Sequence, residues 1–297
     1  MSTVHARSGP VVADTGKQVR LWNEKEAAGF YTGTGLVFAG SMAGLYYAWY
    51  RHDNAGRFRF FNDLNAWRGM DKMGHFTSTW WACQWVYEAS QPLNIPARQK
   101  LILSIGIPVL FMSTVEVFDG FSQGYGFSVP DMVANGVGAS LFFVQQHFWQ
   151  RQDFVIKASF HENHLYKLRP ELLGAGVPET WLKNYNGQTI WMSYPLNKLI
   201  PVNTAIPDWL CLSAGIGAGG LLGSESNTWS SKGQLVSYNQ VQRYSRYLLS
   251  FDIDLCKLPL KGRFWSMFTS TFRWVKLPFP AIEYSGIRKW QVHPFYW

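Results

Sequence analysis

Charge is what this sequence has least of. Asp, Glu, Lys and Arg make up 15% of its 297 residues, where an ordinary soluble domain has about a quarter. Cysteine is nearly absent too. Cys83, Cys211 and Cys256 show neither a metal-ligand spacing nor a disulfide framework. Cys83 stands inside an apolar run and reads as a packing residue, while an envelope compartment would allow Cys211 to join Cys256. No nucleophile motif is present. The Gly-rich run from Gly215 to Gly220 lacks the full dinucleotide fingerprint and its strand–helix context, which excludes a nucleotide site. Met1 to Gly16 hold no apolar core of signal-peptide type and no cysteine for lipid attachment. Either a leader has been lost or the first apolar helix directs insertion.

Aromatic residues are plentiful, at 17% with 15 Trp. Trp and Tyr favour the water–lipid boundary because an apolar body carries a polar edge. Mean hydropathy is only −0.11, since apolar stretches in the first half are averaged with polar loops in the second. That excludes a uniformly hydrophobic polytopic protein and leaves a partly embedded one. The net charge of +8 suits anionic lipid, and would equally serve solubility. Lys and Arg are scattered and no nucleic-acid module is recognisable, so nucleic acid is excluded as a partner.

Along the chain, residues 1–26 read as a polar tail, 27–150 as a membrane-embedded helical bundle and 151–297 as an aromatic, β-containing region. Ala27 to Tyr50 runs without a charge, and its small residues, Gly40 and Gly44 among them, would let another helix approach. Further apolar segments run from about Gly69 to Ser90, Arg98 to Phe118 and Met132 to Gln146. In the last of these, Gly136 and Gly138 permit close contact. Strand-like composition marks Gln188–Tyr194, Leu210–Gly215 and Tyr247–Asp254. Phe264 to Val275 reads as a short amphipathic helix, and the terminal residues as an extended, aromatic-anchored tail.

Ionisable residues collect where the apolar segments begin and end. Asp71 and His75, four apart, share a helical face. Glu116 and Asp119 stand at a helix C-terminus, where the dipole disfavours negative charge, so a cation, a proton or hydrogen bonds must compensate. Ser128 and Asp131 form an N-terminal cap, with Asn135 one turn above. Asp71, Lys72, His75, Glu116, Asp119, Asp131 and Asn135 are thus expected to converge in a buried polar network. As chemistry, His75 with Glu116, Asp119 or Asp131 suits a divalent metal or acid–base work near a lipid phosphate held by Lys72. As structure, the same groups lock the helices together, which is the reading the residues favour. No cofactor and no metal-ligand set is assigned.

Asp71-Lys72-x-Gly74-His75, Glu116-x-x-Asp119-Gly120, Gly126-Phe127-Ser128-x-x-Asp131 and Ala134-Asn135-x-x-Gly138 together resemble the YfiM-like family of predicted periplasmic lipoproteins of unknown function. More distantly they resemble the VanZ-like membrane proteins. Tyr185 to Thr189 and Trp191 to Ser193 are similar to longer forms associated with Bacteroidetes-type bacteria. The resemblance implies a bacterial cell-envelope location, on the outer-membrane or periplasmic side rather than the inner membrane, and no established reaction. The chain departs from the lipoprotein pattern in having no lipobox.

The expectation is a membrane-associated α+β protein, with about four apolar, VanZ-like helices and an irregular β-containing extension. It would be a structural or accessory subunit with membrane lipid and envelope proteins as partners, docking through Trp290 and Phe295. The alternatives are a lipid- or phosphoester-processing enzyme and a lipid-binding module.

Overall fold

The computed structural model describes residues 24–51, 55–200, 206–231 and 233–297. The expected polar tail lies outside these residues except for Glu24, Lys25 and Glu26, which open the first helix. That helix, α1, spans Glu24–Leu45 and ends in a wider turn over Tyr46–Tyr50. A short strand β1 (Phe60–Phe61) follows, then three consecutive left-handed residues, Trp67 (φ 52°), Arg68 (φ 57°) and Gly69 (φ 82°). Non-glycine residues seldom adopt that conformation. Here it is held from outside, because Trp67 N–H donates to Ser224 O and Arg68 Nη2 to Arg243 O, both at 2.7 Å. The turn launches α2 (Met70–Ser90). Pro92 and Pro96 separate it from α3 (Ala97–Phe121), and strand β2 (Phe127–Ser128) pairs in parallel with β1. Ser128 then caps α4 (Val129–Val144), its hydroxyl accepting from Asp131 N–H at 3.0 Å.

These helices are not the expected bundle of four apolar membrane helices. Among the described residues only α3 is long and apolar enough to cross a membrane, with a mean hydropathy of 2.1. Gly, Thr and Ser dilute α1, and α2 carries Asp71, Lys72, His75, Gln84 and Glu88. The 16 residues of α4 rise only about 24 Å, short of a ~30 Å hydrocarbon layer.

The second half is not an irregular extension either. Strands β3 (Val155–Phe160), β4 (Gln188–Pro195) and β5 (Leu210–Gly219) are joined through short helices α5 (Pro170–Leu173), α6 (Val177–Lys183) and α7 (Leu196–Leu199). A separate hairpin, β6 (Thr228–Ser231) with β7 (Gln234–Ser237), precedes β8 (Tyr244–Ile253). Helix α8 (Arg263–Phe272) leads to β9 (Phe279–Ser285) and β10 (Lys289–Tyr296). One antiparallel sheet results, six strands in the order β10-β9-β8-β5-β4-β3. All three cysteines are free thiols.

The sheet is strongly curled. Neighbouring strands lie ~4.8 Å apart, so β3 and β8, three steps apart, would be ~14 Å apart if flat. Yet Lys157 Nζ of β3 sits 2.7 Å from Asp252 Oδ2 of β8. Tyr296 of β10 likewise reaches across to Thr189 of β4 at 3.0 Å. The free edge of β3 is covered from within, since Ala158 N–H donates to Trp274 O and Lys276 N–H to Ala158 O, both at 2.9 Å. Gly215 makes room for the ring of Trp191, its partner across the β4–β5 pair, since a Cβ there would lie 2.6 Å from it.

The sheet buries charged and polar groups beside a small apolar cluster of Trp191, Leu248, Ala281 and Tyr296 and leaves an apolar face exposed. Lys157, Ser193, Ser213, Asp252 and Ser250 point into the concave side and are buried, while Tyr247, Leu249, Phe251, Ile282, Trp290 and Val292 point outward and are exposed. At the β3–β4 end the outer face meets the helices. Met70, Trp80 and Cys83 of α2 and Ala139 and Phe142 of α4 share a core with Ile156 and Ile190. The indole N–H of Trp81 donates to Ile156 O at 2.8 Å.

Candidate functional site

The helix ends converge on Lys72. Its ammonium lies 2.7 Å from Asp63 Oδ2, 2.9 Å from Asp71 Oδ2 and 3.0 Å from Asp131 Oδ1. The β1–β2 pair brings Asp63 to this place, and the Ser128 hydroxyl donates to Asp63 Oδ1 at 2.5 Å. Burial opposes the charge on Lys72, but Asp71, Asp63 and Asp131 outweigh it and hold the amine above its ordinary value. Burial likewise raises Asp63, and there the Lys72 and Ser128 hydrogen bonds win and keep the carboxyl low.

His75, one turn along α2, faces a second set of groups. Its Nδ1 is 3.2 Å from Asn135 Oδ1 and 3.4 Å from Glu116 Oε1, and its Nε2 is 3.9 Å from Asp131 Oδ2. Desolvation pulls the imidazole down, and the surrounding Asp131, Asp71, Glu116 and Asp119 carboxylates overcome it and raise its pKa.

Glu116 is fully buried, and its Oε2 accepts from Ser128 N–H at 3.1 Å, at the start of α4. The positive end of α4 therefore compensates a carboxylate that the C-terminal end of α3 would repel. Asp119 is compensated by the Tyr50 hydroxyl, which donates to its Oδ1 at 2.5 Å. The compensation is incomplete. Burial pushes Glu116 up to about 8 and Asp119 up to about 7. Asp131 rises to about 6 through burial and the neighbouring Asp71 carboxylate. Burial, with Asp119 beside it, also drives Tyr50 well above its usual value. Glu116 Oε1 and Asn135 Nδ2 have no hydrogen-bond partner among the described residues.

All seven residues expected in the polar network meet here, either around Lys72 or around His75. Tyr50, Asp63, Thr79 and Tyr185 also belong to it and were missed. Thr79 Oγ1 is 2.9 Å from Asn135 Oδ1, and the Tyr185 hydroxyl donates to Asp71 Oδ1 at 3.0 Å. Asp63 and Tyr185 carry no spacing signal, because a two-residue parallel pair and a sheet loop bring them in. Among the glycines expected at helix contacts, a Cβ on Gly138 would collide with the Phe76 carbonyl, whereas Gly40, Gly44 and Gly136 face open space. Trp290 and Phe295 lie far from the cluster in sequence, exposed on β10.

Residues 59–146 match a family described as predicted periplasmic lipoprotein (DUF2279). The match covers less than a third of the chain but encloses every charged residue of the cluster. It supports a cell-envelope protein of unknown function on the periplasmic side, and it confirms neither the YfiM-like name nor the relation to VanZ-like proteins. No curated protein matches. No solved structure matches.

Proposed function

We propose that this is a structural or accessory component of the cell envelope that seats against lipid through the outer face of its sheet. One observation carries the reading: the curled sheet keeps Lys157, Asp252 and Ser250 inside and turns Tyr247, Leu249, Phe251 and Ile282 outward. Alternation with polar residues inward and apolar residues outward is the pattern of a sheet surrounded by hydrocarbon. In water, an exposed apolar surface of this kind marks an interaction site or an aggregation hazard. Helix α8 adds Phe264, Met267 and Phe268, all exposed, as an interfacial anchor. The buried cluster then ties the helices and the sheet loop into one unit, which is a scaffold's requirement. A phosphoester-processing role is the second reading. It is favoured by Glu116 and Asp119, whose acid forms persist near neutral pH.

Flotation with phosphatidylethanolamine–phosphatidylglycerol vesicles tests the lipid seat. The full chain should float, and Leu249→Asp with Ile282→Asp should leave it at the bottom of the gradient. A wild-type chain that stays behind, or that hides Leu249 in a stable lipid-free oligomer, would defeat the lipid reading. Gentle purification from the membrane tests the accessory role. Trp290→Ala and Phe295→Ala should reduce co-purifying envelope proteins, whereas a lipid-composition change in His75→Ala with normal partner occupancy would favour the enzyme.

A further inference from the structure

We propose that Asp71, His75 and Asp131 form a site for one divalent cation of the kind bound by imidazole and carboxylate together, with Zn²⁺ and Mn²⁺ as the fitting examples. One ligand atom from each residue already lies within 4.8 Å of the other two. Metal–ligand bonds of about 2.0–2.2 Å bring neighbouring ligands to roughly 3–4 Å, so side-chain movements of about an ångström complete the site.

The imidazole is oriented for this. Its Nδ1 faces two oxygens, Asn135 Oδ1 at 3.2 Å and Glu116 Oε1 at 3.4 Å. In the neutral imidazole that a metal ligand must be, the hydrogen then sits on Nδ1, and the Nε2 lone pair is free on the side of Asp131 Oδ2, 3.9 Å away. The separation is too long for a hydrogen bond and close to that of two ligands sharing one ion. A metal-bound histidine commonly donates its other N–H to a carboxylate, which fixes the tautomer and strengthens the ligand.

A second, independent observation is Glu116 Oε1. The side chain is fully buried, and this oxygen accepts no hydrogen bond. The His75 Nδ1 hydrogen, which Asn135 Oδ1 shares, lies 3.4 Å from it, and a cation on Nε2 makes that hydrogen a stronger donor toward both oxygens. Charge runs the same way. Lys72 is one ammonium shared among the three carboxylates of Asp63, Asp71 and Asp131. Asp71 Oδ1 accepts only the Tyr185 hydroxyl among the described hydrogen bonds, so an ionised carboxylate keeps a lone pair for the ion. Asp71 and His75 are only partly buried, and three protein ligands leave room for water, as in open rather than purely structural sites.

The test uses the full chain, stripped with EDTA and titrated with Zn²⁺ and separately with Mn²⁺, with bound metal counted by elemental mass spectrometry and affinity by calorimetry. One equivalent is expected. His75→Gln and Asp131→Asn should weaken binding by at least tenfold and Glu116→Gln by about 10–100-fold, while His164→Ala, an exposed imidazole elsewhere, leaves it unchanged. Circular dichroism verifies that each variant is folded. Should His75→Gln not fold, pulsed electron paramagnetic resonance on wild-type protein with Mn²⁺ decides, because His75 must show as imidazole nitrogen coupling. No stoichiometric metal, equal affinity in folded His75→Gln and Asp131→Asn, or bound Mn²⁺ without nitrogen coupling would each overturn the proposal.

Discussion

Asp252 is the most consequential single charge in the sheet, and removing it tests whether the interior is as dry as its geometry implies. Its carboxylate is fully buried between two buried lysines, 2.7 Å from Lys157 Nζ and 4.0 Å from Lys276 Nζ, and it accepts the Ser193 hydroxyl at 2.8 Å. Asp252→Asn leaves two ammonium groups in the interior with no counter-ion, and breaking a buried pair costs roughly 3–5 kcal/mol. Lys276→Met should behave differently. Burial pushes this lysine down to about 8, and at 1.36 kcal/mol per unit from its ordinary value of about 10.4 its charged form carries a penalty of about 3 kcal/mol. Loss of its hydrogen bonds to Phe251 O and Leu277 O, at 2.8 and 2.9 Å, offsets that relief. The net change at neutral pH should stay within about 1 kcal/mol. The sign with pH follows. A base with a depressed folded pKa destabilises the fold while protonated, so wild-type stability should rise from pH 8 toward 10.5, and Lys276→Met should lack that rise. Thermal melting in mild detergent, followed by circular dichroism from pH 6 to 10.5, measures both. An Asp252→Asn loss below about 1 kcal/mol, or identical pH slopes in wild type and Lys276→Met, would refute the account of a sealed interior.

Two further outcomes concern the helical half. Glu116→Ala should cost roughly 3–5 kcal/mol, because it leaves Ser128 N–H and His75 facing a hole, whereas Glu116→Gln keeps the shape and the Ser128 hydrogen bond and should cost clearly less; the same melting assay separates them, and equal, negligible effects would show an exposed site. Gly138→Ala should destabilise by roughly 1–3 kcal/mol through its clash with the Phe76 carbonyl, while Gly136→Ala, which meets open space, should gain up to about 1 kcal/mol in helix propensity.

The polar cluster was largely legible in the sequence because charge is scarce there and each residue stands near a helix start or end. Two carboxylates at the C-terminal end of α3 contradicted local preference, and that conflict pointed at Glu116 and Asp119. Their partners were not legible. Tyr50 is 69 residues from Asp119, and Tyr185 is 114 from Asp71, so no helical period connects them. The last two strands were hidden by proline, which normally demotes a strand. Here Pro280 lies at the start of β9 with its side outward, and Pro294 falls where the β9–β10 register shifts between His293 and Tyr296. Apolar helix length misled in the other direction, because small residues in α1 and polar ones in α2 lower hydropathy without shortening the helix.

The period of the sheet was readable and its orientation was not. Leu249 and Phe251 alternate with Ser250 and Asp252, and the same alternation serves a strand facing either way. What decides the face is a partner set brought in from β3, β4 and the segment before β9. Asp252 can turn inward because Lys157, Lys276 and Ser193 meet it there, and none of them is near it in sequence. Once those charges are paired inside, Leu249 and Phe251 must face outward. The helices repeat this arrangement. Lys72 and His75 are enclosed among carboxylates, while Leu36, Ile102, Leu110 and Val133 are exposed. Both halves also keep an apolar core, so what asks for an apolar surround is the exposed apolar face, which in water would be left unburied. That common requirement supports a lipid seat more strongly than the single long apolar helix does.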